Sequence, residues 1–142
     1  DIVVGQGACT DSAWATQYHL PGTFAPIADY TMLRTCVETA EQLGLPYHVG
    51  NLLSSDRFYG DDGDMPDGWK ANNAWAKMGV LAVEMEAAAL YMNAARAGKR
   101  ALAICTVSDQ LVRQEFTTSE ERQTGFTQMM QLALETAIKL EK

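Results

Sequence analysis

The sequence predicts an α/β fold, a sheet covered by helices on both of its faces. Segments with strand and helix periodicity alternate along the chain. The best strand candidates, residues 2–4, 79–83 and 101–107, are apolar on both sides, the pattern of strands buried above and below. No repeat, low-complexity tract or charge run interrupts the alternation, so the chain reads as one unit.

Ile2-Val3-Val4 is a strand that leads into Gly5-Gln6-Gly7-Ala8-Cys9-Thr10-Asp11-Ser12, a small-residue segment able to pass close to other backbone. A loop bearing Trp14, Tyr18 and Pro21-Gly22 follows. From residue 29 to 43 the apolar side chains Leu33, Cys36, Val37 and Ala40 fall three or four apart, and Gly44 and Pro46 stop what is an amphipathic helix. Tyr47-His48-Val49 is a short strand, with a second extended or loop segment from Leu52 to Tyr59. The acidic, glycine-bearing run from Gly60 to Gly68 is a surface loop. Residues 79–83 then form a strand entering an alanine-rich helix over 87–97, whose small side chains permit close packing. The strand 101–107 ends abruptly at Ser108-Asp109. Thr118 and Glu121 form a capping box before a long helix with the stripe Phe126, Met129, Met130, Ala133, Leu134, Ala137 and Ile138.

The 142 residues suffice for a single buried core. Eighteen acidic against 11 basic side chains give a net charge of -7, which disfavours a nucleic-acid partner. Neither a long apolar run nor a basic-then-apolar leader is present, so no membrane or secretory role is expected. Three widely spaced cysteines, Cys9, Cys36 and Cys105, suit buried thiols in a reducing, cytoplasmic setting. Asp1 runs directly into an apolar β-branched stretch, as though the chain opened inside a strand of a longer protein.

In such sheets ligands sit beyond the carboxyl ends of the strands, which singles out Glu84, Glu86, Ser108 and Asp109. Two carboxylates interrupt the apolar segment Val83-Glu84-Met85-Glu86-Ala87-Ala88 where strand hands over to helix. An extended junction points Glu84 and Glu86 to one side and a helical one makes them diverge; both also fit a simple role at the helix dipole. Ser108-Asp109 fits either a site or an ordinary turn. Arg122, four residues before Phe126, heads the inward stripe and fits either a partner for Asp109 or an anchor for the last helix.

Other patterns carry little. Gly5-Gln6-Gly7 lacks the third glycine of a dinucleotide fingerprint, and no phosphate-cradling glycine-lysine loop exists. His19 and His48 have no second ligand at metal spacing, so no metal site is expected. A calcium-loop register begun at Asp62 places Pro66 where a ligand belongs. Trp69 and Trp75 flank the acidic loop and read as helix packing or partial burial at a lid or subunit contact.

Taken together, Gly5-x-Gly7-Ala8-Cys9-Thr10-Asp11-Ser12, Gly50-Asn51-Leu52, Phe58-Tyr59, the Val83 to Ala88 segment, Ile104-Cys105-Thr106-Val107-Ser108-Asp109 and Thr117-Thr118-x-x-Glu121-Arg122-Gln123-Thr124 resemble the hexameric, bacterial-type purine nucleoside phosphorylases. The resemblance runs from end to end and keeps the family's order. It implies a mixed central sheet flanked by helices on both faces, with residues 1–142 as the C-terminal part of a single domain whose first strands precede Asp1. The implied reaction is reversible phosphorolysis of a purine (deoxy)ribonucleoside to free base and (deoxy)ribose 1-phosphate, with phosphate as co-substrate and no metal or organic cofactor. The resemblance implies that Glu86 accepts hydrogen bonds from the ribose hydroxyls, Met85 packs on the sugar and Glu84 lines the same pocket. It implies further that Phe58 stacks near the base with Val83 against it, and that Asp109 is the general acid at purine N7, with Ser108 beside it and Arg122 assisting. A homohexamer built as a trimer of dimers is implied as well.

Glycosidic cleavage builds positive charge on the sugar and negative charge on the base, so a carboxylate at the hydroxyls and a proton donor at N7 stabilise opposite ends of one transition state. An Arg122 beside Asp109 would favour its ionised form, so the two are expected to pair closely only when the last helix closes over substrate. Asp at position 109 implies tolerance of 6-amino as well as 6-oxo purines.

The chain departs from the family pattern at Gln110, where His is common, at residues 13–19, which lack the usual arginine, and in a longer loop between Tyr59 and Val83. The family's phosphate-binding glycine and arginines fall before Asp1, so the 142 residues are not expected to turn over alone. Two other readings share the motifs: a nucleosidase of the same superfamily, using water in place of phosphate, and a non-catalytic fragment that binds nucleosides.

Overall fold

A computed structural model describes residues 1–57, 71–111, 117–120 and 126–141. Phe58, Tyr59, the acidic loop, Trp69, Glu121 and Arg122 lie outside the described residues.

Strand β1 (Ile2–Thr10) is the spine of the sheet. Helix α1 (Tyr30–Leu43) follows it after a short 3-10 turn at Trp14–Tyr18. Asp29 caps α1 by accepting a hydrogen bond from the Met32 amide at 2.9 Å, and Gly44 closes it with a φ of 65°, a left-handed conformation that a side chain would strain. The segments at 47–49 and 52–59, read as separate from sequence, belong in part to one strand, β2 (Tyr47–Ser54). Its first half is largely exposed, so His48 and Asn51 interrupt the apolar signal without breaking the strand. Helix α2 (Ala71–Lys77) precedes β3 (Ala82–Glu84), which enters α3 (Ala87–Arg96). The last described elements are β4 (Ala103–Thr106) and α4 (Thr127–Leu140).

The described strands form one mixed sheet in the order β3-β2-β1-β4, with β4 antiparallel to β1 and the other pairs parallel. The register of β1 against β2 slips between Gly5 and Gly7, leaving Gln6 as an extra residue whose carbonyl accepts from the Ala28 amide. Alternation along β1 sends Val3 and Ala8 to one face, where they pack with Leu52, Ala87, Ala88 and Tyr91. Ile2 and Val4 point to the other, packed with Cys36, Ala40 and Leu132 of α1 and α4. Helices thus cover both faces, the layering the apolar strands predict.

Helix α4 departs from its predicted orientation. Leu132 and Thr136 are buried and Met129 is half-buried, whereas Met130, Leu134 and Ile138 are exposed. Two stripes lie on nearly opposite sides of this helix, and the one facing the sheet includes Thr136, whose hydroxyl satisfies itself by donating to the Leu132 carbonyl at 2.7 Å. Lys139 ties α4 to α1 by donating to Thr39 Oγ1 and Gln42 Oε1. Among the described residues no helix is long and apolar enough to cross a membrane.

Candidate functional site

The carboxyl ends of β1, β2 and β3 stop in register, with Thr10 opposite Ser54 and Ser54 opposite Glu84. Each strand turns polar there, and the polar groups find one another. Thr10 Oγ1 donates to the Ser54 carbonyl at 2.8 Å, and Ser55 Oγ donates to Asp11 Oδ2 at 2.9 Å.

Glu84 is engaged through both of its carboxylate oxygens. Its Oε1 accepts from Ser54 Oγ at 2.5 Å, while Oε2 accepts from the amides of Glu86 at 2.7 Å and Ala87 at 2.6 Å. Ser54 Oγ in turn accepts from the Ala88 amide at 2.8 Å. Three consecutive amides at the start of α3, which a helix leaves without internal partners, are therefore satisfied from within. The junction is extended at Glu84 and turns at Glu86, whose φ of -132° places it as the N-cap. The Glu86 side chain makes no capping bond and is exposed.

A cleft of about 130 Å³ is bounded by Leu53, Trp75, Val83, Thr106, Ser108 and Asp109 among others. Ser108 and Asp109 reach it from the carboxyl end of β4, which is antiparallel to β1 and so runs out beside Ile2 and not beside Thr10, unlike the common strand end that the sequence predicts. It brings Val83, Ser108 and Asp109 together. Asp109 is half-buried. Its Oδ2 accepts from Ser108 Oγ at 3.1 Å and its Oδ1 from the Thr117 amide at 3.0 Å, so the strand-end acid also ties down the backbone at Thr117. Thr106 Oγ1 is buried with no hydrogen-bond partner among the described residues. Met85 faces a second cavity of about 60 Å³ with Thr10, Ser12, Trp14 and Met92. Glu84 and Glu86 line neither cavity.

The two carboxylates still act on the larger cleft through its electrostatics. Cys105, on its wall, has its thiol pushed up to about 11, first by burial and then by the negative charges of Glu84 and Glu86. Between the ordinary value near 9 and about 11, an unfolded Cys105 ionises while the folded one keeps its proton. The folded state then binds more protons, so stability falls as pH rises through that window. Chemical denaturation across it is expected to show the decline, reduced in Cys105→Ala.

Ser54, which donates to Glu84 and accepts from the Ala88 amide, is the residue of this strand end that sequence reasoning missed. Its signal was present: Ser54-Ser55 is an abrupt polar step after the apolar Leu52-Leu53, at a strand's carboxyl end. His48 sits at the surface, 3.3 Å from Asp1 Oδ2. Among the described residues no cluster of three or more His, Cys, Asp or Glu side chains could hold a metal ion.

The arrangement supplies an exposed carboxylate on the turn after β3 and a half-buried carboxyl after β4, the opposite edge strand of the sheet. One can accept hydrogen bonds from hydroxyl groups, and the other can exchange a proton with a group held in the cleft. Comparison with known families gives the same direction: a profile described as the phosphorylase superfamily matches residues 1–140, and the chain belongs to that superfamily.

Proposed function

We propose that the protein is a purine nucleoside phosphorylase, which transfers the pentosyl group of a purine (deoxy)ribonucleoside to phosphate and releases the free base. Membership of the phosphorylase superfamily supports a nucleoside phosphorylase or hydrolase type of chemistry. The observation that carries the finer reading is the convergence of Val83, Ser108 and Asp109 on one cleft, beside a Glu84-Met85-Glu86 turn whose backbone is pinned.

In this reading the nucleoside lies with its base toward Val83 and Asp109 and its sugar toward Met85 and Glu86. Asp109 protonates N7 as the glycosidic bond breaks, aided by Ser108 and by Arg122, and Phe58 stacks on the base. Inorganic phosphate attacks C1′ and leaves as the sugar 1-phosphate, so no metal or organic cofactor takes part. The assembly is a homohexamer in the cytoplasm, working in purine salvage. The deciding experiment follows release of base from inosine and adenosine by the full-length protein, with and without phosphate. Phosphate-dependent release with formation of a sugar 1-phosphate is expected. Equal release without phosphate would make the protein a nucleosidase, and binding of a nucleoside analogue without turnover would make it a binding protein.

Glu86 gives a second test. Glu86→Ala is expected to raise KM for inosine about tenfold to a hundredfold, the worth of hydrogen bonds to a charged acceptor. For 2′,3′-dideoxyinosine, which lacks those hydroxyls, the change should stay within about threefold, since there is no such bond to lose.

A further inference from the structure

The turn that carries Glu86 has no side-chain cap of its own. A free Glu86 side chain could fold back onto the amides of α3, as acids at helix starts do, and so be lost to any ligand. Three of those amides are already taken here. Glu84 Oε2 already takes the amides of Glu86 and Ala87, and Ser54 Oγ takes that of Ala88. Ser54 is held in turn, since it is 4% exposed and donates to Glu84 Oε1. One hydroxyl and one carboxylate thus form a closed set in which Ser54 gives one hydrogen bond and accepts one, and both oxygens of Glu84 are used.

We infer that Ser54 and Glu84 are positioning residues: by occupying the α3 amides they hold the Met85-Glu86 turn and keep the Glu86 carboxylate outward and available to the sugar hydroxyls. This rests on the proposed role of Glu86. It assigns Glu84 a task through its neighbour in place of direct contact with substrate. It also assigns a task to Ser54, which lies 32 residues away in sequence from Glu86 and on a different strand. A further consequence is that the start of α3 offers a phosphate few amides, because an internal carboxylate already neutralises that end of the helix dipole.

The test is a pair of double-mutant cycles in the full-length protein, read by steady-state kinetics with inosine and by hydrogen exchange at the amides of residues 86–88. Glu84→Gln and Ser54→Ala should each raise KM about tenfold while kcat changes less, a loss typical of a displaced binding group. Each should also speed exchange at those amides about tenfold or more, as capping bonds are lost. In a Glu86→Ala background the same changes should alter KM by less than about twofold, because the group they position is gone. Ser54→Ala removes a single hydroxyl and serves as the folded variant should Glu84→Gln unfold. KM effects that add fully to that of Glu86→Ala, or unchanged exchange at residues 86–88, would overturn the inference while leaving the role of Glu86 intact. A Glu86→Ala enzyme with unchanged KM would overturn both.

Discussion

Asp109→Asn is expected to lower kcat for inosine and adenosine by about a hundredfold to a thousandfold, the range for removing a general acid, with KM changed far less. The substitution isolates the proton. An Asn side chain keeps an oxygen that can accept from the Thr117 amide, now 3.0 Å from Asp109 Oδ1, and it fills the same space beside Ser108. Stability should therefore stay within about 1 kcal/mol of the parent, the worth of a typical hydrogen bond. Loss of activity would then report chemistry and not unfolding, provided that thermal melts of the two proteins coincide. An amide cannot deliver a proton to N7, so substrates that need protonation to leave should suffer most. A nucleoside with a good leaving group, such as a 7-methylated purine that already carries positive charge on the ring, should lose much less, within about tenfold, because little acid assistance remains to be removed. Full activity on adenosine in both Asp109→Asn and Arg122→Ala would sink the mechanism.

Much of the fold was legible because several elements carry redundant signals. Helix α1 has Leu33, Cys36 and Ala40 on one face, Asp29 before it and Gly44 after it, and each signal names the same boundaries. Strand β1 is apolar on successive residues, which only a sheet buried on both faces explains. Helix α4 was read less well because its apolar positions form stripes of the same period on nearly opposite sides. Periodicity finds the helix, yet it does not choose between Leu132 with Thr136 and Leu134 with Ile138. The short helix α2 has only seven residues, too few for Ala71, Ala74 and Trp75 to stand out as a stripe after the preceding polar run.

The candidate site divides in the same way. That Glu84, Glu86, Ser108 and Asp109 sit at strand tips follows from where the apolar runs stop. How the two glutamates share their work does not, since it depends on Ser54, a residue that only the parallel pairing of β2 with β3 brings to Glu84. Of the two roles that fitted these acids, the helix-dipole role is the one filled by the Glu84 carboxylate, and the Glu86 carboxylate is left facing solvent.

The largest loss of stability is expected at Tyr91, which joins the two halves of that site. It lies on α3, one turn beyond the Glu84-Glu86 junction, and is 1% exposed. Its hydroxyl donates to the Gly5 carbonyl at 2.6 Å and accepts from the Ala103 amide at 3.0 Å. Gly5 and Ala103 are partners in the β1–β4 ladder, so the phenol bridges the two strands where they face each other. Gly5 must be glycine for this, because a Cβ there would lie 2.7 Å from Leu52 Cδ1 and 2.8 Å from the Tyr91 hydroxyl. Tyr91→Ala removes a large ring from the core and should cost about 3–5 kcal/mol, as other aromatic truncations do. Tyr91→Phe keeps the ring and strips the bridge, leaving the Gly5 carbonyl and Ala103 amide short of a partner. It should cost about 1–3 kcal/mol, read as a lower denaturation midpoint at unchanged slope. The functional consequence separates the two halves of the site. Because β4 leads into Ser108 and Asp109 while α3 begins at Glu86, loosening their common tie should lower kcat/KM for inosine beyond the effect on stability. A Tyr91→Phe enzyme as active and as stable as the parent would show that β4 is held by the sheet alone.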